Sequence, residues 1–416
     1  MFKGVPSDLL TAQDPPIEAT MVLSLPHLLL NISLLSAIGP QETPVDRRCV
    51  SLREDRGPRH RNSSLAPAFF IFGDSSVDVG TNNFLGTLAR SDLPPYGRDF
   101  DTHKPTGRFC NGRLIVDYLG STFAALHMGL PFVPAFLGQS GEGQHISLTQ
   151  QIEQAVDTFQ LITLSLGERR ANRLFAESIF FLSVGSNDYI HHYLRNASGV
   201  KSLYLPWGFN QLLISTVKQR LKTLYTMNAR RFVVLGLAPL GCTPHFLWEY
   251  QSKEGECIKE INDMIMEFNF GMRYMIDELN KELKDAMFIF CDAFLGSEDI
   301  MMNHEHYVQC PNQVFLCWIL GLNSDVSEIE SLILISDEGF ETVTEACCGF
   351  GQYGGWIMCI SPQMACKNAT THVWWDQFHP TDAVNSILAD NIWSGLHANM
   401  CHPINLQAAM PKVRSV

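Results

Sequence analysis

The sequence lacks the features that mark membrane proteins, nucleic-acid-binding proteins and metalloproteins. No stretch of about 20 residues is apolar enough to span a bilayer, so we predict no integral membrane span. The 30 Lys and Arg are outnumbered by 43 Asp and Glu, giving a net charge of −13, whereas a nucleic-acid partner requires a basic face. The sequence has no C-x-x-C pair, and His304-Glu305-His306 does not match the zinc-binding motif H-E-x-x-H, so we predict no bound metal. We also predict no organic cofactor.

The composition is that of a globular protein. Hydrophobic residues make up 46% of the 416 residues and charged residues only 18%, which excludes a disordered or fibrous chain. Twelve cysteines are typical of proteins from an oxidising compartment. Sequons for N-glycosylation occur at Asn62, Asn196 and Asn368. Together these features predict a secreted glycoprotein.

Two segments precede the predicted domain. Residues 1–39 are interpreted as a leader, in which residues 21–39 have the apolar character of a signal peptide and end on Ala37-Ile38-Gly39. A misassigned N-terminus is the alternative, because polar residues precede this run and Met21 is followed by no basic region. Residues 40–65 are rich in arginine and read as a solvated linker. The folded domain is predicted over residues 66–405, followed by a tail at 406–416.

Within this domain, short apolar runs alternate with helical patterns. Runs that are apolar throughout predict strands buried on both faces, at residues 68–72, 178–184, 231–237 and 286–291. The helical patterns lie at residues 147–166, 209–227 and 258–284. This alternation predicts a parallel sheet covered by helices on both faces, whose ligands gather at the carboxyl ends of the strands.

Polar residues able to act together stand after the first two strands and near the C-terminus. Gly73 permits a sharp turn that presents Ser75 to the cleft, and Asn187 follows the second strand, where its amide could serve as an oxyanion donor. Asp376 and His379 are three residues apart, so one helical turn would place both on one face. The carboxylate could then orient the imidazole, which would take a proton from Ser75.

Each of these residues also has a structural interpretation. Ser75 alone could be a turn serine, Asn187 a turn former, Asp376 a helix cap and His379 a structural histidine. The complete set favours catalysis, because a serine and an amide after buried strands are followed by a late D-x-x-H.

These segments resemble the plant GDSL esterases/lipases of the SGNH hydrolase superfamily. The resemblance lies in FIFGDSSVDVGTNNF, FFLSVGSNDYI and WWDQFHPTDAVN, and extends over most of residues 66–405. It implies an α/β fold, a flavodoxin-like three-layer α/β/α sandwich with a mainly parallel sheet. It also implies hydrolysis of carboxylic esters, often acyl lipids, in the cell wall or apoplast. By this resemblance Ser75 is the nucleophile and an oxyanion donor, Asn187 the second donor, and Asp376 and His379 the acid and base.

The sequence departs from the family pattern at two places. A block whose glycine N–H completes the oxyanion hole is missing near residues 138–143, where Gly138, Gly141 or Gly143 could provide a substitute. Loss of the strand in that block would expose the edge of the first strand. An apolar insertion occupies residues 308–338. A splicing or gene-structure error is our hypothesis for both departures, and sequencing the transcript tests it.

Two alternatives to an active ester hydrolase therefore stay open. One is a catalytically impaired secreted relative, acting as a binding or scaffold protein or existing as a non-functional splice product. The other is an acyltransferase that uses the same residues with a different acceptor. The sequence does not specify acyl chain, alcohol, disulfide connectivity or oligomeric state.

Overall fold

The computed structural model of the protein describes residues 65–85, 87, 90–120, 146–195, 199–307 and 339–410, and the backbone of residues 20–24. Several predicted features lie outside these residues: most of the leader and of the linker, the missing block near 138–143 and the insertion at 308–338. Asn62 and Asn196 also lie outside them. No helix among the described residues is long and apolar enough to cross a membrane.

The described strands form a six-stranded mixed sheet and a small two-stranded sheet. The central strands β2 to β5 run parallel in that order, and β1 and β8 pair antiparallel at the two edges. Strands β6 and β7 pair with each other. The bounds are β1 Thr20–Ser24, β2 Phe69–Gly73, β3 Ile179–Ser183, β4 Arg231–Leu235, β5 Met287–Cys291, β6 Thr342–Ala346, β7 His372–Trp374 and β8 Cys401–His402.

Helices cover both faces of the large sheet. The helix Leu148–Leu166 begins where Ser147 and Gln150 cap it reciprocally, each side chain accepting the other's backbone N–H. The α-helices are α1 Ile115–Gly120, α2 Leu148–Leu166, α3 Glu168–Glu177, α4 Val200–Leu203, α5 Pro206–Thr226, α6 Pro244–Glu249, α7 Lys259–Glu282, α8 Ala293–Met302, α9 Asp382–Trp393 and α10 Leu406–Ala409. This is the predicted α/β architecture, with strands and long helices close to their predicted positions.

The central strands are apolar except at single terminal residues, Ser183 of β3 and Arg231 of β4, because each of their faces packs against its own core. In β2, Phe70 and Phe72 contribute to the core beneath α2, α3, α5 and α7. The alternate residues Phe69 and Ile71 contribute to the core beneath α1, α9 and part of α8. The same alternation holds in β3, β4 and β5. Strands buried on both faces have no polar face, as the sequence predicted.

The edge of β2 is paired, which corrects the expectation that the missing block leaves it exposed. Thr20 lies opposite Gly73 and Ser24 opposite Phe69, so β1 supplies an antiparallel partner. An unpaired edge would present a row of unsatisfied N–H and C=O groups, and this pairing removes it. Because β1 falls in the predicted leader, a chain cleaved after residue 39 would lack this strand.

Four disulfides link the described cysteines: Cys242–Cys257, Cys291–Cys401, Cys347–Cys366 and Cys348–Cys359. Cys291–Cys401 joins β5 to the edge strand β8. The two bridges from Cys347 and Cys348 fasten the segment that precedes β7. Among the described cysteines, Cys110 alone is outside a disulfide, and it is buried.

Candidate active site

Ser75 lies in a tight turn at the carboxyl end of β2. The chain turns there through a hydrogen bond from the Val77 N–H to the Asp74 carbonyl. Gly73 is needed because a Cβ at this position would meet Val77 at 2.1 Å and the Ser183 carbonyl oxygen at 2.6 Å. The close approach of β2 to β3 thus requires glycine, and Ser75 follows it at the edge formed by the carboxyl ends of the parallel strands.

Asp376 and His379 come from a bend between β7 and α9. The sequence predicted a helical turn, and this detail is wrong, because the Trp375 N–H donates to the His379 carbonyl and closes a loop instead. Pro380 explains the difference, since a proline disfavours helical backbone in the residue before it. Asp376 Oδ1 accepts the N–H groups of Phe378 and His379, so this carboxylate also stabilises the bend.

The structure brings Ser75, His379 and Asp376 into one hydrogen-bonded relay. Asp376 Oδ1 and Oδ2 lie 2.8 and 3.0 Å from His379 Nδ1, so the proton of the neutral ring resides on Nδ1. His379 Nε2 lies 2.7 Å from Ser75 Oγ and accepts its hydrogen. Asp376 is buried. This is the geometry by which a serine hydroxyl is activated as a nucleophile.

Tyr96 is a member of the site that the sequence did not reveal. Its hydroxyl donates to Asp376 Oδ2 at 2.8 Å, and its ring packs edge-on against Phe109 and Trp375. Burial, followed by the charge of Asp376, raises the pKa of Tyr96 well above its usual value, so the hydroxyl stays protonated and donates. No local pattern connects two residues separated by 280 positions. Only the fold makes them partners.

We expect Tyr96→Phe to lower kcat by about tenfold, because a hydrogen bond to a buried carboxylate is worth about 1.5–3 kcal/mol and part of it orients Asp376. The acid limb of the pH–rate profile should also move to higher pH, because a carboxylate with one donor fewer holds the proton of His379 more tightly. Tyr118→Phe is the matched control, since it removes a tyrosine hydrogen bond to another carboxylate, that of the partly buried Asp382. If the acid limb of the pH–rate profile does not move in Tyr96→Phe, Tyr96 contributes to packing and not to the orientation of Asp376.

The electrostatics of the relay favour an ion pair. Burial lowers the pKa of His379, but the charge and hydrogen bond of Asp376, with a smaller contribution from Asp74, raise it above its ordinary value of 6.5. Burial raises the pKa of Asp376, but His379 and the two backbone N–H groups outweigh it, and the net pKa is lowered. The carboxylate is therefore set to stabilise an imidazolium that forms when His379 takes a proton.

These directions predict the pH dependence of turnover. His379 must be neutral to accept the Ser75 proton, and its raised pKa means that it becomes neutral only above pH 6.5. We expect kcat/KM for a water-soluble ester to rise with pH along a limb whose midpoint lies above 6.5. Asp74→Asn should lower that midpoint, because one nearby negative charge is removed. A midpoint at or below 6.5 in the unmodified protein would contradict the assignment to His379.

The two groups predicted as oxyanion donors, the Asn187 amide and the Ser75 N–H, belong to residues that line one cavity. The Asn187 side chain lines the same cavity as Ser75 and does not cap the short π-helix Asp188–Leu194 that follows it. The bend before it depends on Gly185, whose φ of 116° favours glycine. Among the described residues, the Ser75 N–H has no hydrogen-bond partner. Gly138, Gly141 and Gly143, the possible substitutes for the missing glycine, lie outside the described residues.

The relay opens into an apolar cavity of about 430 Å³. Its wall combines polar groups near Ser75 and Asn187 with aliphatic side chains from both cores. The aliphatic residues on the side of α1, α8 and α9 include Leu114, Ile115, Ile300, Val384 and Leu388. Such a wall suits an apolar chain attached to a polar, reacting group.

The described residues contain no cluster of three or more His, Cys, Asp or Glu side chains that could hold a metal ion. His304 instead contacts the Phe340 carbonyl oxygen through its Nδ1. Asn368, one of the predicted glycosylation sites, is exposed on a short turn before β7.

Comparison with known proteins shows the family to which the chain is similar. A family model described as GDSL-like Lipase/Acylhydrolase matches residues 69–392. GDSL esterase/lipase At5g08460 of Arabidopsis thaliana is 33% identical over 83% of this chain and 87% of its own length. GDSL esterase/lipase 7 of the same plant is 33% identical over 84% of this chain and 93% of its own length. The family predicted from the sequence motifs is confirmed.

Proposed function

Because this chain belongs to the GDSL-like lipase/acylhydrolase family, we propose that it hydrolyses carboxylic esters of acyl lipids through an acyl-enzyme intermediate on Ser75. The observation that carries this proposal is the relay in which Ser75 Oγ lies 2.7 Å from His379 Nε2 and Asp376 holds the other ring nitrogen. Membership of the GDSL-like lipase/acylhydrolase family implies that the chain is an ester hydrolase. The acyl-lipid substrate and the roles of the residues are the proposal.

In the first half-reaction, Ser75 Oγ attacks the ester carbonyl carbon while His379 Nε2 takes the hydroxyl proton. Asp376 keeps the ring in the correct tautomer and stabilises the imidazolium. The Asn187 amide and the Ser75 N–H donate to the oxyanion of the tetrahedral intermediate. When the intermediate collapses, the bond between the carbonyl carbon and the alcohol oxygen breaks, and His379 protonates the departing alkoxide.

In the second half-reaction, water replaces the alcohol. His379 Nε2 takes a proton from the water as its oxygen attacks the acyl carbon, and the bond to Ser75 Oγ breaks. The proton then returns to Ser75, and the carboxylic acid leaves. If a second alcohol attacks instead of water, the same residues catalyse acyl transfer, so the acceptor alone distinguishes the two activities.

The cavity supports an acyl lipid as substrate more than a small polar ester. Leu114, Ile115, Val384 and Leu388 line it and are almost fully buried, so a chain placed there would leave water. Each methylene buried in this way is worth about 0.8 kcal/mol. The polar groups near Ser75 would meet only the ester group.

We also propose that the protein is secreted and glycosylated. Four disulfides among the described cysteines support an oxidising compartment, and the exposed Asn368 is accessible to a glycosyltransferase. Sequencing the N-terminus of protein recovered from the extracellular fluid of plant tissue would test export and also show whether β1 is retained.

The test of the proposed function measures hydrolysis of p-nitrophenyl esters from acetate to palmitate by purified protein, together with labelling by a fluorophosphonate. We expect kcat/KM to rise by at least about tenfold between acetate and octanoate, because the longer chain buries more apolar surface. The label should map to Ser75 by mass spectrometry. Adding an alcohol acceptor and analysing the products separates hydrolysis from acyl transfer.

A folded, monodisperse protein that hydrolyses none of these esters and resists the label would overturn the proposal. That outcome would favour the catalytically impaired relative, since the relay would then be present without a functional oxyanion hole. Labelling of Ser75 by the fluorophosphonate without ester turnover would indicate that the defect of the oxyanion hole affects the later, deacylation step.

A further inference from the structure

One surface segment beside the cavity has no charge and several exposed apolar side chains. Residues 346–366, here called the uncharged segment, contain no Asp, Glu, Lys or Arg. Within it Phe350 is 56% exposed, Trp356 53%, Met358 50% and Ile360 63%. Large apolar side chains are normally scattered singly on a protein surface, and their concentration in one uncharged segment indicates a binding face.

Three of these side chains share one side of the chain. Trp356, Met358 and Ile360 are exposed in alternation, while Cys359 between them is buried in its disulfide with Cys348. Phe350 joins them through backbone hydrogen bonds to Trp356 and Ile357, and its ring centroid lies 6.2 Å from that of Trp356. These four exposed side chains are here called the apolar face of the uncharged segment.

This face is fastened so that it cannot turn inward. The disulfides Cys347–Cys366 and Cys348–Cys359 close the segment upon itself. Gly355 packs so closely that a Cβ there would lie 2.0 Å from the Pro244 carbonyl oxygen, and Trp356 stacks on Trp248. Its apolar side chains are thus held towards solvent by covalent and packing constraints.

The uncharged segment adjoins the relay. Met358 lines the cavity that contains Ser75 and His379. The Gln377 side-chain amide donates to the Gly355 carbonyl at 2.6 Å, and the Cys348 N–H donates to the Trp375 carbonyl at 2.7 Å. The apolar face is therefore continuous with the cavity mouth and rigidly joined to the bend that carries Asp376 and His379.

We propose that the uncharged segment seats the protein on the surface of an aggregated, electrically neutral lipid ester, so that an ester molecule enters the cavity directly from that surface. This inference rests on the proposed ester hydrolysis. The absence of charge suits a neutral surface, and a tryptophan side chain is well placed where an apolar phase meets water. A protein partner or a second copy held here would cover the mouth at Met358 and obstruct entry to Ser75.

The binding test uses emulsified trioctanoylglycerol stabilised by phosphatidylcholine, with Ser75→Ala as the background so that no substrate is consumed. Flotation measures the fraction of protein bound. We expect the double variant Phe350→Ser/Ile360→Ser to bind at least about tenfold more weakly, because two exposed apolar side chains no longer leave water.

The matched control is Leu161→Ser/Leu164→Ser, whose side chains are 64% and 83% exposed. These two leucines lie in the C-terminal part of α2, far from the cavity. The N-terminus of α2 is near the cavity, which Ile146 lines. Leu164 is roughly 24 Å from that N-terminus along the helix axis. This control should bind the emulsion within about twofold of the background protein. Equal thermal stability of both double variants confirms that each is folded.

A kinetic arm uses the same double variants with Ser75 intact. Phe350→Ser/Ile360→Ser should hydrolyse dissolved p-nitrophenyl acetate within about twofold of the unmodified protein but lose about tenfold on the emulsion. No binding of the emulsion by the background protein, or equal loss in both double variants, would overturn the proposal. If the unmodified protein forms a dimer and the variant Phe350→Ser/Ile360→Ser is a monomer, the apolar face is an interface between two copies of the chain instead. Because flotation requires no turnover, failed hydrolysis and failed docking are distinguishable.

Discussion

Ser75→Ala is expected to lower kcat for ester hydrolysis by about 10⁵–10⁶-fold, since among the described residues no other hydroxyl is hydrogen-bonded to His379 Nε2. The Ser75 hydroxyl contacts His379 Nε2 and makes no other side-chain hydrogen bond within the described residues, so its loss should leave the fold intact. The measurement is steady-state hydrolysis of p-nitrophenyl octanoate, with circular dichroism to verify folding. A residual rate above that of water would come from the oxyanion donors.

Ser76→Ala is the control for this experiment. Ser76 is the next residue and also lines the cavity, but its Oγ bonds to Ser183 Oγ at 2.9 Å and not to His379. Its removal should cost less than about tenfold. Retention of activity in Ser75→Ala, or comparable losses in both variants, would exclude Ser75 as the nucleophile.

Asp376→Asn is expected to lower kcat by about 10⁴-fold. An asparagine amide that donates to the ring would favour the tautomer with the proton on Nε2, which cannot accept from Ser75. It would also leave the imidazolium without its carboxylate. The N–H groups of Phe378 and His379 would keep the oxygen at the Oδ1 position as their acceptor, so the bend should survive. The Tyr96 hydroxyl, which donates to Oδ2, would face the amide nitrogen and lose its acceptor. The measurement is single-turnover acylation, which isolates the step that needs the base.

Asp382→Asn tests whether the effect belongs to the relay or to any buried carboxylate nearby. Asp382 accepts from the Arg113 N–H and the Tyr118 hydroxyl, and burial raises its pKa to about 6. Its replacement should change stability more than turnover, because it has no hydrogen bond to Ser75 or His379. If both variants lose activity equally, the loss cannot be assigned to the orientation of His379.

The two variants also separate the proposed function from the docking of the uncharged segment. Ser75→Ala and Asp376→Asn remove chemistry without altering residues 346–366, so binding to the emulsion should be unchanged in each. A fall in binding would indicate that the bend between β7 and α9 had moved, because Gln377 joins it to Gly355.

Local patterns were sufficient for the parts of the structure that depend on local chemistry. The strands β2 to β5 were predictable because burial on both faces leaves each without a polar residue at its centre. The position of Ser75 and Asn187 in one cavity was predictable because parallel strands bring their carboxyl ends to one edge. The helical turn over Asp376–His379 failed because the spacing of three residues fits a bend as well as a helix, and Pro380 favours the bend.

The sequence by itself determined the strands β2 to β5, the long helices α2, α5 and α7 and the candidates Ser75, Asn187, Asp376 and His379, since each is recognised from residues close in the chain. Tertiary structure alone decided the Tyr96–Asp376 hydrogen bond, the disulfide partners and the pairing of β1 with β2. The tertiary structure also decided that an apolar cavity and the uncharged segment lie beside the relay. Contacts between distant residues depend on how whole elements pack, and many pairings are compatible with the same local pattern.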